Sequence, residues 1–113
     1  MKVFKFGGAS IKDYNNIQNV ATILENYKDE KILIVISAMG KMTNALEKVS
    51  QAFYEERKED TFKLFEKIKA FHLDHLKYLI TLQWEKATNT FTDFFTEVEW
   101  LLHDRPVKDY NYY

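Results

Sequence analysis

The chain has no cysteine, which excludes disulfides, thiolate metal sites and cysteine nucleophiles together. Glycine occurs three times and proline once in 113 residues. Turn punctuation is therefore sparse, and long uninterrupted helices are expected. No stretch approaches the roughly 20 consecutive apolar residues that a membrane-spanning helix needs. The opening Met1-Lys2-Val3-Phe4-Lys5-Phe6 is too short an apolar run for a signal peptide, and glycines follow at once. Charge of one sign is not in excess either: the net charge is −1, with 16 basic and 17 acidic side chains interleaved. No basic face offers itself to a nucleic-acid backbone. These absences set the expectation of a soluble cytoplasmic protein with neither membrane nor nucleic acid among its partners.

What is present points to a packed globular chain. Apolar residues make up 46% and charged residues 29% of the sequence, a balance that argues against disorder. The length suits one domain or a piece of one, and a chain this short buries roughly two-thirds of the surface its unfolded form exposes.

The first third reads as strand, helix, strand. Residues 1–6 form a short strand that Gly7-Gly8 breaks. Ile17, Val20, Ala21, Leu24 and Tyr27 then line one face of a helix, with Asp13 as its N-cap. Ile32-Leu33-Ile34-Val35-Ile36 has no polar alternation, which predicts a strand buried on both faces in a parallel sheet covered by helices. Together these segments make a βαβ unit over residues 1–42. The remainder predicts helices over 43–105 and a tail over 106–113. One helix runs from Thr43 through Leu46, Val49 and Phe53; a second is capped by Asp60 or Thr61 and carries Leu64, Phe65, Ile68, Phe71 and Leu76. A third has the best heptad-like seam, Trp84, Ala87, Phe91, Phe94, Val98 and Leu101, and should pair antiparallel with the second before Asp104-Arg105-Pro106 ends it. The turn between Leu79 and Trp84 has no Gly or Pro to mark it.

Two loops can carry chemistry, and each follows a predicted strand, at the end where open α/β sheets bind ligands. In Lys5-Phe6-Gly7-Gly8-Ala9-Ser10 the paired glycines let the backbone approach a ligand and aim successive N–H groups at an anion. The Lys5 ammonium can neutralise a transferring phosphoryl group. A strand ending in Gly-Gly is more often just a turn. The second loop, Ser37 through Asn44, runs from the buried strand into a helix, whose N-terminus favours a carboxylate or phosphate. There Thr43 reads equally well as an ordinary N-cap. Gly40-Lys41 does not complete a P-loop, because Val35 stands where glycine is required and Met42 where Ser or Thr is required.

His72 and His75, with Asp74 between them, share a helix side at a metal-compatible spacing. No third ligand lies in sequence reach, so they read as half-buried packing residues. The aromatic stripe from Trp84 to Leu101 reads as core or interface.

Taken as a pair, the two loops are specific. Val3-Phe4-Lys5-Phe6-Gly7-Gly8-Ala9-Ser10-Ile11 resembles the aspartokinase signature, a Lys, an aromatic, two Gly, Ser or Thr, Ser, then an aliphatic residue. Val35 through Asn44 resembles that family's second segment, Ser-Ala, a short variable stretch, then Thr followed by Asn or Asp. The long helices that follow resemble the family's helical insertion. Ala9 departs from the pattern, since Thr or Ser is usual there and a hydroxyl is lost from the loop.

The resemblance implies an α/β amino-acid kinase fold, begun here as a parallel sheet sandwiched by helices and continued as a long helical hairpin. It implies a kinase that moves the γ-phosphoryl of ATP, taken as its Mg2+ complex, to the side-chain carboxylate of L-aspartate. Lys5, Phe6, Gly7, Gly8, Ser10 and Ser37 fall on ATP, Lys5 with a catalytic role, and Thr43 on aspartate. A third segment, Ser-x-Gly-Glu, is implied beyond the aromatic end at Tyr110, Tyr112 and Tyr113, so the chain reads as an N-terminal fragment, inactive alone and prone to form homo-oligomers. The alternatives are a relative acting on glutamate, N-acetylglutamate, carbamate or a nucleotide, and a non-catalytic helical interaction module.

Overall fold

The computed structural model describes residues 1–80 and 84–112. The chain divides into two compact units, Met1–Met42 and Thr43–Tyr113.

In the first unit, β1 (Lys2–Phe6) and β2 (Ile32–Ile36) pair in parallel, Lys2 opposite Ile32 through Phe6 opposite Ile36. A parallel pair needs a crossover, and α1 (Tyr14–Glu25) supplies it. Asp13 caps α1 as its sequence position predicts: it is extended, and its carboxylate accepts the Asn16 N–H at 3.0 Å. At the other end the Asn26 and Tyr27 N–H groups donate back to the carbonyls of Ile23 and Leu24, at 3.3 and 2.9 Å. Phe6, Ile11 and Val20 make a small core, with Phe4, Ile17 and Leu24 packed against it. Strand residues alternate between faces, so Phe4 and Phe6 share one side, their rings stacked 6.3 Å apart. Lys5 is left on the other.

The expectation for β2 needs correction. Leu33, Ile34, Val35 and Ile36 are exposed, at 50%, 37%, 46% and 58%, not buried on both faces. The reason is layering. Among the described residues β2 has one neighbouring strand, β1, and the apolar residues of α1 in the core meet Phe4 and Phe6. The sheet begins parallel as expected; the sandwich is absent from the described residues.

Met42 ends the first unit and opens α2 (Met42–Tyr54), which buries Val49, Ala52 and Phe53. Its C-terminus closes with the Glu56 N–H on the Phe53 carbonyl at 3.1 Å and the Arg57 N–H on the Ala52 carbonyl at 2.9 Å. That pair of bonds is a Schellman closure, which usually places glycine in the left-handed position. Here Glu56 takes it, at φ 58°.

This turn starts α3 (Lys58–Leu79) earlier than the capping pattern predicts. Neither Asp60 nor Thr61 is the cap. Asp60 lies in the first turn, 2.8 Å from the Arg57 guanidinium, and Thr61 is buried and donates its hydroxyl to the Arg57 carbonyl at 2.8 Å. Hydrogen bonds to Asp60 and then Glu55 hold the Arg57 pKa above its ordinary value.

α4 (Trp84–His103) runs antiparallel to α3: Phe62 meets the His103 ring, Phe65 meets Phe95, and His72 meets Phe91. The seam differs from the heptad expectation. The face turned to α3 carries Phe91, Phe95 and the buried Leu102. Phe94, Val98 and Leu101 are 66%, 42% and 50% exposed. Successive helical residues lie about 100° apart, so α4 carries two adjacent apolar stripes and α3 covers one. The Lys58 ammonium donates to the His103 carbonyl at 2.8 Å, satisfying one of the orphan acceptors at the end of α4. Tyr110, in a short 3-10 turn over Tyr110–Tyr112, stands edge-on to Tyr54 at 5.7 Å. α3 stops at Leu79 with Ile80 extended. Residues 81–83, where the turn to α4 was expected, lie outside the described residues, as does Tyr113.

Candidate functional site

Everything chemical in the first unit follows from where its two strands end. β1 and β2 are parallel and in register, so their carboxyl ends lie side by side, Phe6 opposite Ile36. The loops leaving them are tied at the exit: the Ser37 N–H donates to the Phe6 carbonyl at 3.0 Å. The first loop then folds into a tight turn, with the Ser10 N–H on the Gly7 carbonyl at 3.0 Å and the Ile11 N–H on the Gly8 carbonyl at 3.4 Å. Ile11, 5% exposed, pins this turn into the core. The second loop closes on itself through the Met42 N–H and the Met39 carbonyl, at 3.0 Å, and is pinned by buried Met42.

The loops touch. A Cβ placed on Gly8 would lie 3.3 Å from the Gly40 carbonyl oxygen and 3.6 Å from that of Ala38. Gly40 sits at φ +51°, and a Cβ there would lie 3.4 Å from the Lys12 carbonyl oxygen. The sequence motif singled out Gly8 but gave no role to Gly40 or Lys12. A glycine between a strand and a helix was the available signal, since left-handed backbone favours that residue.

Of the residues the signature selects, Lys5, Ser10 and Ser37 are exposed, and Gly7 and Gly8 are partly so. All five belong to the first unit, at or next to the strand ends. Phe6 is buried at 8% exposure, so its ring belongs to the core and its carbonyl to the Ser37 tie. Thr43 is exposed in the first turn of α2, inside the helix and not at its cap. Neither loop contains a carboxylate, and Asp13, just beyond the first, caps α1. The chemistry on offer is backbone N–H groups, hydroxyls and the exposed ammonium groups of Lys5 and Lys41, a donor set suited to an anion.

The helical unit offers a different inventory. His72 and His75 are half-buried, and each Nδ1 bonds a carbonyl one turn back, Ile68 and Phe71, at 2.8 Å. No group of three or more His, Asp or Glu positioned to hold a metal occurs among the described residues. Among them, too, no helix is long and apolar enough to cross a membrane.

Residues 1–99 match the amino acid kinase family. The chloroplastic aspartokinase 2 of Arabidopsis thaliana is 43% identical over 49 residues, 43% of this chain and 9% of that protein. Aspartokinase 2 of Bacillus subtilis is 39% identical over 56 residues, 48% of this chain and 14% of that protein. The chloroplastic bifunctional aspartokinase/homoserine dehydrogenase 2 of Arabidopsis is 41% identical over 44 residues, 39% of this chain and 5% of that protein. The matched stretches span a small part of these relatives.

Proposed function

Because the chain belongs to the amino acid kinase family, we propose that it carries the phosphate-facing loops of an aspartate kinase. The observation that carries this reading is the meeting of two glycine-bearing loops at the carboxyl ends of adjacent parallel strands. Their donors suit the polyphosphate of ATP. Magnesium enters on that polyphosphate as part of the substrate complex, since neither loop supplies a carboxylate to hold it.

In this reading the exposed Lys5 ammonium neutralises charge on the γ-phosphoryl in flight. Gly7, Gly8 and Ser10 present backbone N–H groups and a hydroxyl to the phosphates. Phe6, with its ring in the core and its carbonyl bonded to the Ser37 N–H, serves the ATP site by holding the root of the two loops. Ser37 lies beside the transfer site, and Thr43 is assigned to aspartate. The acceptor carboxylate is already ionised near neutral pH, so it needs no general base. It attacks the γ-phosphorus, the bond to the bridging oxygen breaks, and ADP leaves with 4-phospho-L-aspartate as the second product. Catalysis of this kind is mostly positioning and charge neutralisation. Such a product begins lysine, threonine and methionine biosynthesis.

The reading extends to the architecture. The exposed β2 residues become buried when further sheet and helix complete the sandwich. The 113-residue chain alone turns over no aspartate, works in the cytoplasm as part of the whole enzyme, and self-associates through exposed strand edges.

The test is a coupled ADP-release assay on the longest product of the gene, with L-aspartate, L-glutamate, N-acetyl-L-glutamate and carbamate as acceptors. Turnover with aspartate supports the proposal. Turnover confined to another acceptor replaces it with a different amino acid kinase. No turnover with any acceptor, while the loops bind no nucleotide, leaves the non-catalytic helical module.

A further inference from the structure

We propose that Gly8 and Gly40 are positioning residues that clasp the two loops backbone to backbone, and that Gly7 alone keeps open space for the bound phosphate. The two adjacent glycines of the first loop differ in their surroundings. Beyond its chain neighbours, no heavy atom of the described residues lies within 4 Å of a Cβ placed at Gly7. At Gly8 the same atom meets the carbonyl oxygens of Gly40 and Ala38, at 3.3 and 3.6 Å. The Gly40 oxygen is the tight contact, and as main chain it cannot rotate aside; the Ala38 oxygen lies at ordinary van der Waals distance. The contact is also two-way. Gly40 turns back at φ +51° onto the Lys12 backbone, its Cβ position 3.4 Å from the Lys12 carbonyl oxygen and 3.9 Å from the Lys12 Cα. A side chain would thus push the loops apart at Gly8, whereas at Gly40 it is the left-handed backbone, not the space, that calls for glycine.

The anchors behind the clasp are fixed. Ile11 and Met42 are buried at 5% and 7% exposure, and the Ser37 N–H ties the loops at their root. An alanine at Gly8 therefore shifts the second loop by a few tenths of an ångström. A shift of that size falls short of the ångström-scale displacement that costs on the order of a hundredfold in rate, so the functional weight falls on the open space at Gly7. This functional half rests on the nucleotide reading above; the clasp itself does not.

The experiment uses the whole 15N-labelled chain. In the wild type, a nuclear Overhauser effect between the α-protons of Gly40 and Lys12 is expected. Gly8→Ala should move the amide signals of Ala38, Gly40 and Lys12, whereas Gly7→Ala should leave those three in place. Gly40→Asn, whose side chain tolerates left-handed backbone, should keep the wild-type positions of the first loop's amides; Gly40→Val should not. Mg-ATP is then titrated into each form. Gly7→Ala should weaken the response although its loops are undisturbed, a loss that a purely structural role would not produce. If the Overhauser effect is absent, or Gly8→Ala leaves the second loop unmoved in a folded chain, the clasp is overturned. If Gly7→Ala binds Mg-ATP as the wild type does, the open space at Gly7 is not the ligand's. If the wild type shows no response to Mg-ATP while the Overhauser effect and the Gly8→Ala shifts are present, the clasp holds and the nucleotide reading fails.

Discussion

The two units of this chain differ in what they bury and in what they leave exposed. Thr43–Tyr113 buries Phe65, Ile68 and Leu102 and offers no three-residue metal-binding cluster among its described residues. Met1–Met42 has a smaller core of Phe6, Ile11 and Val20, leaves most of β2 exposed, and holds both glycine-bearing loops. The contrast teaches that, in a fold of this kind, packing and function use different sequence signals. Helical packing is spread over many apolar residues, where bulk and burial decide. The loops depend on a few positions where backbone geometry, not bulk, decides.

The largest effect that sharpens this contrast is expected at Phe65, 2% exposed and packed on Phe95. Phe65→Ala should cost about 3–5 kcal/mol, read as a fall in the urea midpoint followed by circular dichroism. A loss under 1 kcal/mol would mean that the helical pair is not the stable part of the chain. Next comes Lys5→Met. A hydrogen bond to a charged group is worth about 1.5–3 kcal/mol, so Mg-ATP binding measured by calorimetry should weaken roughly tenfold or more. Lys5 is exposed, so the melting temperature should hold. A lowered melting temperature with unchanged affinity would reverse the division of labour at this residue.

How much of this was legible in the sequence depends on the kind of signal. Asp13 announces the start of α1 because a cap is a local device, and the structure places it there. The glycine pair and the Ser37 segment announce the loops. The seam of α4 is misread because a heptad pattern cannot say which of two neighbouring apolar stripes a partner helix covers: Phe95 and Leu102 win over Phe94 and Leu101. The start of α3 is misplaced because an Asp-Thr pair resembles a cap, while Glu56 adopts a left-handed turn that no composition rule assigns to Glu. Burial of β2 fails for a different reason. An apolar strand reports what it can bury, not whether the neighbours that bury it are at hand.

Two smaller predictions probe the local devices. Asp13→Ala removes the bond to the Asn16 N–H and should cost about 1 kcal/mol of stability, seen as weaker amide protection in the first turn of α1. Unchanged protection there would mean the cap is idle. Glu56→Gly relieves a non-glycine residue at φ 58° and should stabilise the chain by a few tenths to about 1 kcal/mol. A lowered melting temperature would instead assign Glu56 to its ion pair with Arg105, 3.8 Å away.

The proposal that the loops of Met1–Met42 hold the nucleotide is tested most directly by titrating Mg-ATP into the 15N-labelled wild-type chain and following every amide. Shifts are expected at Gly7, Gly8, Ser10 and Ser37 and none at Phe65, His72, Phe91 or Phe95. Shifts confined to the two long helices, or none at all at saturating nucleotide, would contradict it.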